Sequence, residues 1–140
     1  MKTVLTLAFV FSIILSDDWE LFEKVKFKTK YSSEHSYYFQ YPEFDAALRA
    51  REGTAIILEG YFIPYNMQKD NSMILSRYPF AACFFCGGDS GPESVAEVIF
   101  AGKKPELELD EVITVKGKLK LNDKPEAGMT FIVEQAAVVK

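Results

Sequence analysis

The only thiols of the 140-residue chain, Cys83 and Cys86, stand as Cys-Phe-Phe-Cys directly before the run Gly87-Gly88-Asp89-Ser90-Gly91-Pro92-Glu93. A C-x-x-C pair supports three kinds of chemistry. It can close a small disulfide ring, which by loop-closure reasoning is worth on the order of 2 kcal/mol and so fixes a loop rather than supporting a fold. It can exchange with other disulfides, which requires a thiolate stabilised by a helix N-terminus or a cation. It can also supply two of the four ligands of a tetrahedral zinc site, or part of a soft copper site. For exchange, Arg77 is near in sequence but belongs to the preceding strand, and the β-rich flanks are not the βαβ setting of a thioredoxin-like motif. For Zn or Cu, the only histidine is His35, far away in sequence, so a site would combine Cys83 and Cys86 with His35 and Glu97, recruit Asp89 or Glu93, or pool pairs across a dimer.

Other chemistries have less to build on. Nucleophilic catalysis needs a base within reach of the nucleophile and a group to orient that base. His35 lies in the polar stretch Ser33-Glu34-His35-Ser36, which reads as a solvated loop, and the string Gly88-Asp89-Ser90-Gly91 has no histidine in a suitable context before it. We therefore assign no catalytic residue. The glycines could offer backbone N–H groups to an anion, as nests do, but the lysine and helix start of a phosphate loop are missing. Gly87, Gly88, Asp89, Ser90 and Glu93 remain the candidate ligand contacts of a shaped loop, and the same residues also read as a tight turn.

The elements that must position this loop are mostly strands. Lys24, Lys26, Lys28 and Lys30 alternate with Val25, Phe27, Thr29 and Tyr31, the period-two pattern of a strand whose lysines guard an exposed edge. Pro42 to Gly53 predicts one short helix, with Pro42 in its first turn, Arg49 and Arg51 near its negative end, Gly53 as its cap, and Phe44 and Leu48 facing the sheet. A strand from Thr54 to Pro64, with a bulge or bend expected at Gly60, forms a long-tipped hairpin with Ser72 to Tyr78. Further strands are predicted over Glu97–Ala101, Glu111–Leu121 and Thr130–Val139. The chain is thus mainly β, and we expect a small OB-like Greek-key barrel of five to six strands with one short helix. Tyr31, Tyr37, Tyr38, Phe39 and Tyr41 are expected to cover the open end of that barrel.

Residues 1–16, MKTVLTLAFVFSIILS, join a basic Lys2 to an uncharged apolar run with the length of a signal-peptide core. We expect a signal peptide here, with an uncleaved anchor as the alternative and the only route to a membrane, followed by a single domain over 17–140. Export implies a periplasmic or secreted protein in an oxidising compartment. The net charge of −4 argues against nucleic acid as a partner.

Gly60-Tyr61-Phe62-Ile63-Pro64, then Met73-Ile74-Leu75-Ser76, then Pro79-Phe80-Ala81-Ala82-Cys83, together resemble an uncharacterised family of small secreted or periplasmic bacterial proteins. Its pattern is a G-x-x-x-P strand, a second strand and a cysteine-containing turn. The resemblance covers roughly Ala55 to Leu121 and implies a small OB-like exported domain. The expected function is a non-enzymatic binding or scaffold domain, free of cofactor, meeting a protein or small-molecule partner in the cell envelope through the C-x-x-C loop. A Zn- or Cu-handling protein and a thiol-disulfide oxidoreductase are the alternatives.

Overall fold

A computed structural model describes residues 17–65 and 67–139, so the signal peptide expected over 1–16 lies outside the described residues. Five strands close into a barrel: β3 (Ala55–Ile63), β4 (Ser72–Ser76), β5 (Val95–Phe100), β6 (Val112–Leu121) and β7 (Phe131–Val138). Their order around the barrel is β3-β4-β5-β7-β6, returning to β3, with β5 and β7 parallel and the other pairs antiparallel. This is the strand order of an OB-type barrel, in agreement with the fold class expected from the sequence. Closure follows from alternation. Ile56 and Leu58 on β3, and Ile113, Val115 and Leu119 on β6, point inward and are buried, while Lys116, Lys118 and Lys120 stay in solvent.

Gly60 makes no bulge. The β3–β6 register runs without interruption from Ala55↔Lys118 to Tyr61↔Val112. The glycine is needed because a Cβ there would stand 2.5 Å from the Ser76 carbonyl oxygen, at the point where β3 turns from β6 toward β4. β3 meets β4 only over Tyr61–Ile63, which leaves its first half without a barrel neighbour on that side.

Asp18 and Trp19 occupy that gap, ahead of the lysine-bearing strand, which starts at Lys26 rather than Lys24. The Asp18 N–H donates to the Ile57 carbonyl (3.0 Å), the Ile57 N–H donates to Asp18 Oδ2 (2.8 Å), and Trp19 Nε1–H donates to the Glu59 carbonyl (2.7 Å). A short helix, α1 (Glu20–Glu23), then turns Trp19 and Phe22 into the barrel, where both are fully buried. Phe22 stacks on Phe131 with ring centroids 3.9 Å apart, and Trp19 meets Phe22 edge-on at 5.7 Å. Phe27 and Phe44 add edge contacts to Phe131 at 6.4 and 6.2 Å. This plug, rather than the tyrosine-rich run, closes the barrel end.

Outside the barrel, β1 (Lys26–Ser32) and β2 (Tyr37–Glu43) form a separate antiparallel hairpin. Tyr31, Tyr37 and Tyr38 on it are 55%, 65% and 63% exposed, so they do not cover the barrel. Pro42 belongs to β2, opposite Phe27, and not to a helix. The predicted helix is shorter, α2 (Ala46–Arg51), because Asp45 takes an extended backbone and its Oδ1 accepts the Leu48 N–H at 2.7 Å, making it the N-cap. Arg49 and Arg51 lie in the last turn and Leu48 is buried as expected, whereas Phe44 packs on the core from before the helix rather than from its face.

Candidate functional site

β4 is buried along its whole length. Met73 and Leu75 point into the barrel core, and Ile74, on the opposite face, is only 1% exposed because the cysteine loop folds back over it. The loop, residues 77–94, is pinned at its base by the Arg77 N–H donating to the Ser94 carbonyl (2.8 Å) and by an ion pair between the Arg77 guanidinium and Glu23 of α1. At its far side the Phe80 N–H donates to Asp110 Oδ1 (2.7 Å). Three single 3-10 turns, Phe80–Ala82, Phe84–Cys86 and Pro92–Ser94, make it compact.

Its glycines serve packing. Gly87 has φ +84°, and a Cβ on Gly88 would lie 2.3 Å from the Ala82 carbonyl carbon. The Gly88 N–H donates to the Cys83 carbonyl (3.0 Å), and the Ser90 hydroxyl donates to the Ala82 carbonyl (2.5 Å). Two of the groups that an anion or a nucleophilic mechanism would use are therefore engaged inside the loop. A hollow of about 440 Å³ beside Tyr78 is lined by Gly87, Gly88, Asp89 and Ser90. Glu93 turns its carboxylate toward Gly91.

The disulfide expected between Cys83 and Cys86 is not present. Both cysteines are free thiols, 3.2 Å apart. Cys83 is fully buried with Ile63, Ile74 and Val95 in a second apolar cluster outside the barrel, onto which Met67, Phe84, Cys86 and Met129 pack. Burial pushes the Cys86 thiol from its ordinary 9.0 up to about 11, helped by the hydrogen bond and charge of the neighbouring Cys83 and by the charge of Asp110. That shift opposes the thiolate that exchange and metal ligation both require. Among the described residues, no three His, Cys, Asp or Glu side chains gather as a metal set. His35 sits in the β1–β2 turn with Nδ1 3.2 Å from Ser32 Oγ and its ring edge-on to Phe39, while Glu97 is on β5. The structure thus brings Cys83 and Cys86 together and leaves His35 and Glu97 apart from them.

Beside the loop runs a groove of about 870 Å³. Ile74, Val95 and Glu97 of β4 and β5 lie along its floor. One wall is Tyr37–Gln40 of β2, another is the β3–β4 connection with Tyr65 and Met67–Lys69, and a third is Phe84 and Phe85 of the cysteine loop. The β6–β7 connection, including Pro125 and Met129, completes it. Tyr65 and Phe85 face each other across 5.5 Å at 34°, with Phe84 edge-on to Phe85 at 5.1 Å. Tyr65 is 57% and Phe85 40% exposed, so aromatic surface is presented to solvent beside buried aliphatic surface. Lys69 and Glu97 are the charged side chains of the lining, one of each sign.

The sequence pointed to the loop but not to this groove. In the sequence Phe84 and Phe85 stand between the cysteines, and Tyr37, Tyr38 and Phe39 were expected at the open end of the barrel. Their convergence with Tyr65 and Met129 depends on the barrel. Compared with known proteins, the chain matches no family model, no curated protein and no solved structure.

Proposed function

We propose that the protein is a non-enzymatic binding domain, exported to the periplasm or beyond, whose ligand face is the groove bounded by β2, β4, β5 and the cysteine loop. One observation carries this reading. In OB-type barrels the face of the second and third strands, with the loops joining strands one to two and four to five, is where ligands lie. Here those parts are β4, β5, the β3–β4 connection through Tyr65 and Met67–Lys69, and the β6–β7 connection through Pro125 and Ala127–Thr130, and residues of each line the groove. Exposed rings next to a few hydrogen-bonding side chains are the surface expected of a binding site. The C-x-x-C loop contributes as a wall, through Phe84 and Phe85, and not as a reactive centre. The raised Cys86 thiol supports a structural part for the pair over oxidoreductase or metal-handling chemistry.

The reading is tested by amide-shift mapping with three classes of probe: neutral oligosaccharides, short uncharged peptides and single-stranded oligonucleotides. At least one class is expected to shift Ile74, Phe85 and Glu97 together, with loss on Tyr65→Ala or Phe85→Ala. Shifts confined to other surfaces, or turnover of a disulfide, peptide or ester substrate that Cys83→Ala abolishes, would refute it.

A further inference from the structure

Four consecutive residues of β2, Tyr37, Tyr38, Phe39 and Gln40, all line the groove. Side chains of a strand alternate between faces, so a run of neighbours can border one groove only if the strand meets it edge-on. The ring contacts agree: Tyr37 packs on Phe39 and Tyr38 on Tyr31, on opposite faces of the hairpin.

What an edge offers is backbone. In an antiparallel pair every second residue turns its N–H and C=O away from the partner strand. Pro42 pairs with Phe27 and has no N–H to give the ladder, which places Tyr38, Gln40 and Pro42 in the outward-pointing set. Among the described residues, Tyr38 and Gln40 have no backbone hydrogen-bond partner outside the hairpin. The other edge of this hairpin belongs to β1, which carries Lys26, Lys28 and Lys30, the usual guard against strand addition. The β2 sequence, YYFQYPE, has no lysine. Pro42 blunts the far end of the β2 edge and the Pro125–Ala127 turn packs against β2 with Glu126 at Tyr41, so the part of that edge left open is Tyr38 to Gln40.

Resting on the binding-domain reading above, we propose that the occupant is an extended, uncharged peptide segment that adds to β2 as a third strand. Main-chain bonds to Tyr38 and Gln40 fix its register, and its alternate apolar side chains enter the groove against the half-buried Met67, Phe84 and Met129. Charge selects the same class of ligand. Lys69 balanced by Glu97 gives the groove no net field for a polyanion, and an uncharged strand satisfies it. The Tyr37–Gln40 edge spans about 13 Å, matched by four residues of extended chain.

The probe is a capped nonapeptide of alternating threonine and valine, titrated into the 15N-labelled protein. The expected result is binding in which the Tyr38 and Gln40 amides shift and become protected from hydrogen exchange. N-methylating the peptide at the positions that face β2 should weaken binding by about tenfold or more, while N-methylation at the intervening positions leaves it within about twofold. Gln40→Pro should weaken binding to a similar extent with the fold retained by circular dichroism, and the N-methyl series gives the answer without that variant. If an oligosaccharide or oligonucleotide shifts Ile74, Phe85 and Glu97 while the nonapeptide does not, the groove stands and the strand-addition proposal falls. Equal tolerance of N-methylation at both sets of positions also overturns it. If no probe reaches the groove, both readings fall.

Discussion

Replacing Phe22 by alanine tests whether α1 is part of the barrel or an appendage to it. The side chain is fully buried, stacked on Phe131 at 3.9 Å and met edge-on by Trp19 at 5.7 Å. Truncating a buried phenylalanine costs about 3–5 kcal/mol through lost transfer free energy and the cavity left behind. A four-residue helix can settle into part of that space, so the lower half of the range, about 3–4 kcal/mol, is expected. With a urea slope of roughly 1.5 kcal/mol/M for a domain of this size, the unfolding midpoint should fall by about 2–2.7 M. Trp19 is the only tryptophan, so its emission reports the plug while far-ultraviolet circular dichroism reports the strands. In the parent protein the two probes should give one transition. Phe22→Leu, which keeps most of the volume, should cost less than about 1.5 kcal/mol. A midpoint shift below about 0.5 M for Phe22→Ala, or a tryptophan transition well before the strand transition, would refute the view that these residues complete the barrel.

Four other outcomes follow from the same geometry. Gly88→Ala places a Cβ against the Ala82 backbone, so it should destabilise the protein by about 1–3 kcal/mol and open the cysteine loop to proteolysis; an unchanged digestion pattern would count against the close approach. Mass analysis after denaturing alkylation should find two modified thiols per chain, and iodoacetamide at pH 8 should reach Cys86 in the folded protein about tenfold more slowly than a free cysteine, the lost thiolate being partly offset by the greater nucleophilicity of a higher-pKa thiolate. Because folding raises the Cys86 thiol, its contribution to stability is intact below pH 9.0 and declines as the pH climbs toward 11; Tm of the parent should fall relative to Cys86→Ser only across that window, and a difference appearing below pH 8 would contradict the sign. Dialysis against Zn²⁺ under reducing conditions should leave less than about 0.1 equivalent bound, since two thiols alone make half a tetrahedral set; one ion per two chains would instead indicate pooling across a dimer.

The parts of this fold legible in the sequence are those whose side chains alternate against one shared core. Glu111–Leu121 and Thr54–Pro64 read as strands because their inward residues recur at period two, and both are barrel strands. The helix α2 (Ala46–Arg51) is legible from its charges and Gly53, though not its start, since Pro42 fits a first turn and a strand position that gives no N–H to the ladder equally well. The role of residues 17–23 was not legible, because nothing local says that Trp19 and Phe22 enter the barrel, where Phe22 stacks on Phe131 more than a hundred positions away. The candidate site divides in the same way. The shaped loop around Cys83 and Cys86 was legible, whereas the oxidation state of the cysteines was not, because C-x-x-C spacing sets proximity and leaves oxidation open. The groove was out of reach, since it is assembled from three connections and one strand edge.

The covering of β4 explains why the binding surface should lie where it does. A barrel strand normally keeps one face for the core and one for solvent or ligand. Here Ile74 and Ile63 are buried from outside by Cys83, Val95 and the residues packed on them, so the middle of the customary OB face is filled by the protein's own loop. Two thiols suit that place because they pack as small apolar groups while burial keeps Cys86 protonated at neutral pH. On the proposed binding reading, a ligand lies beside the loop, over β5 and against β2, where Phe84 and Phe85 form one bank and Tyr37–Gln40 the other. On that reading the cysteines act on binding through the position of those two rings. Cys83→Ala should weaken a groove ligand by loosening Phe84 and Phe85, with its affinity insensitive to pH between 6 and 8; a pH-dependent loss there would mean that a thiolate meets the ligand directly.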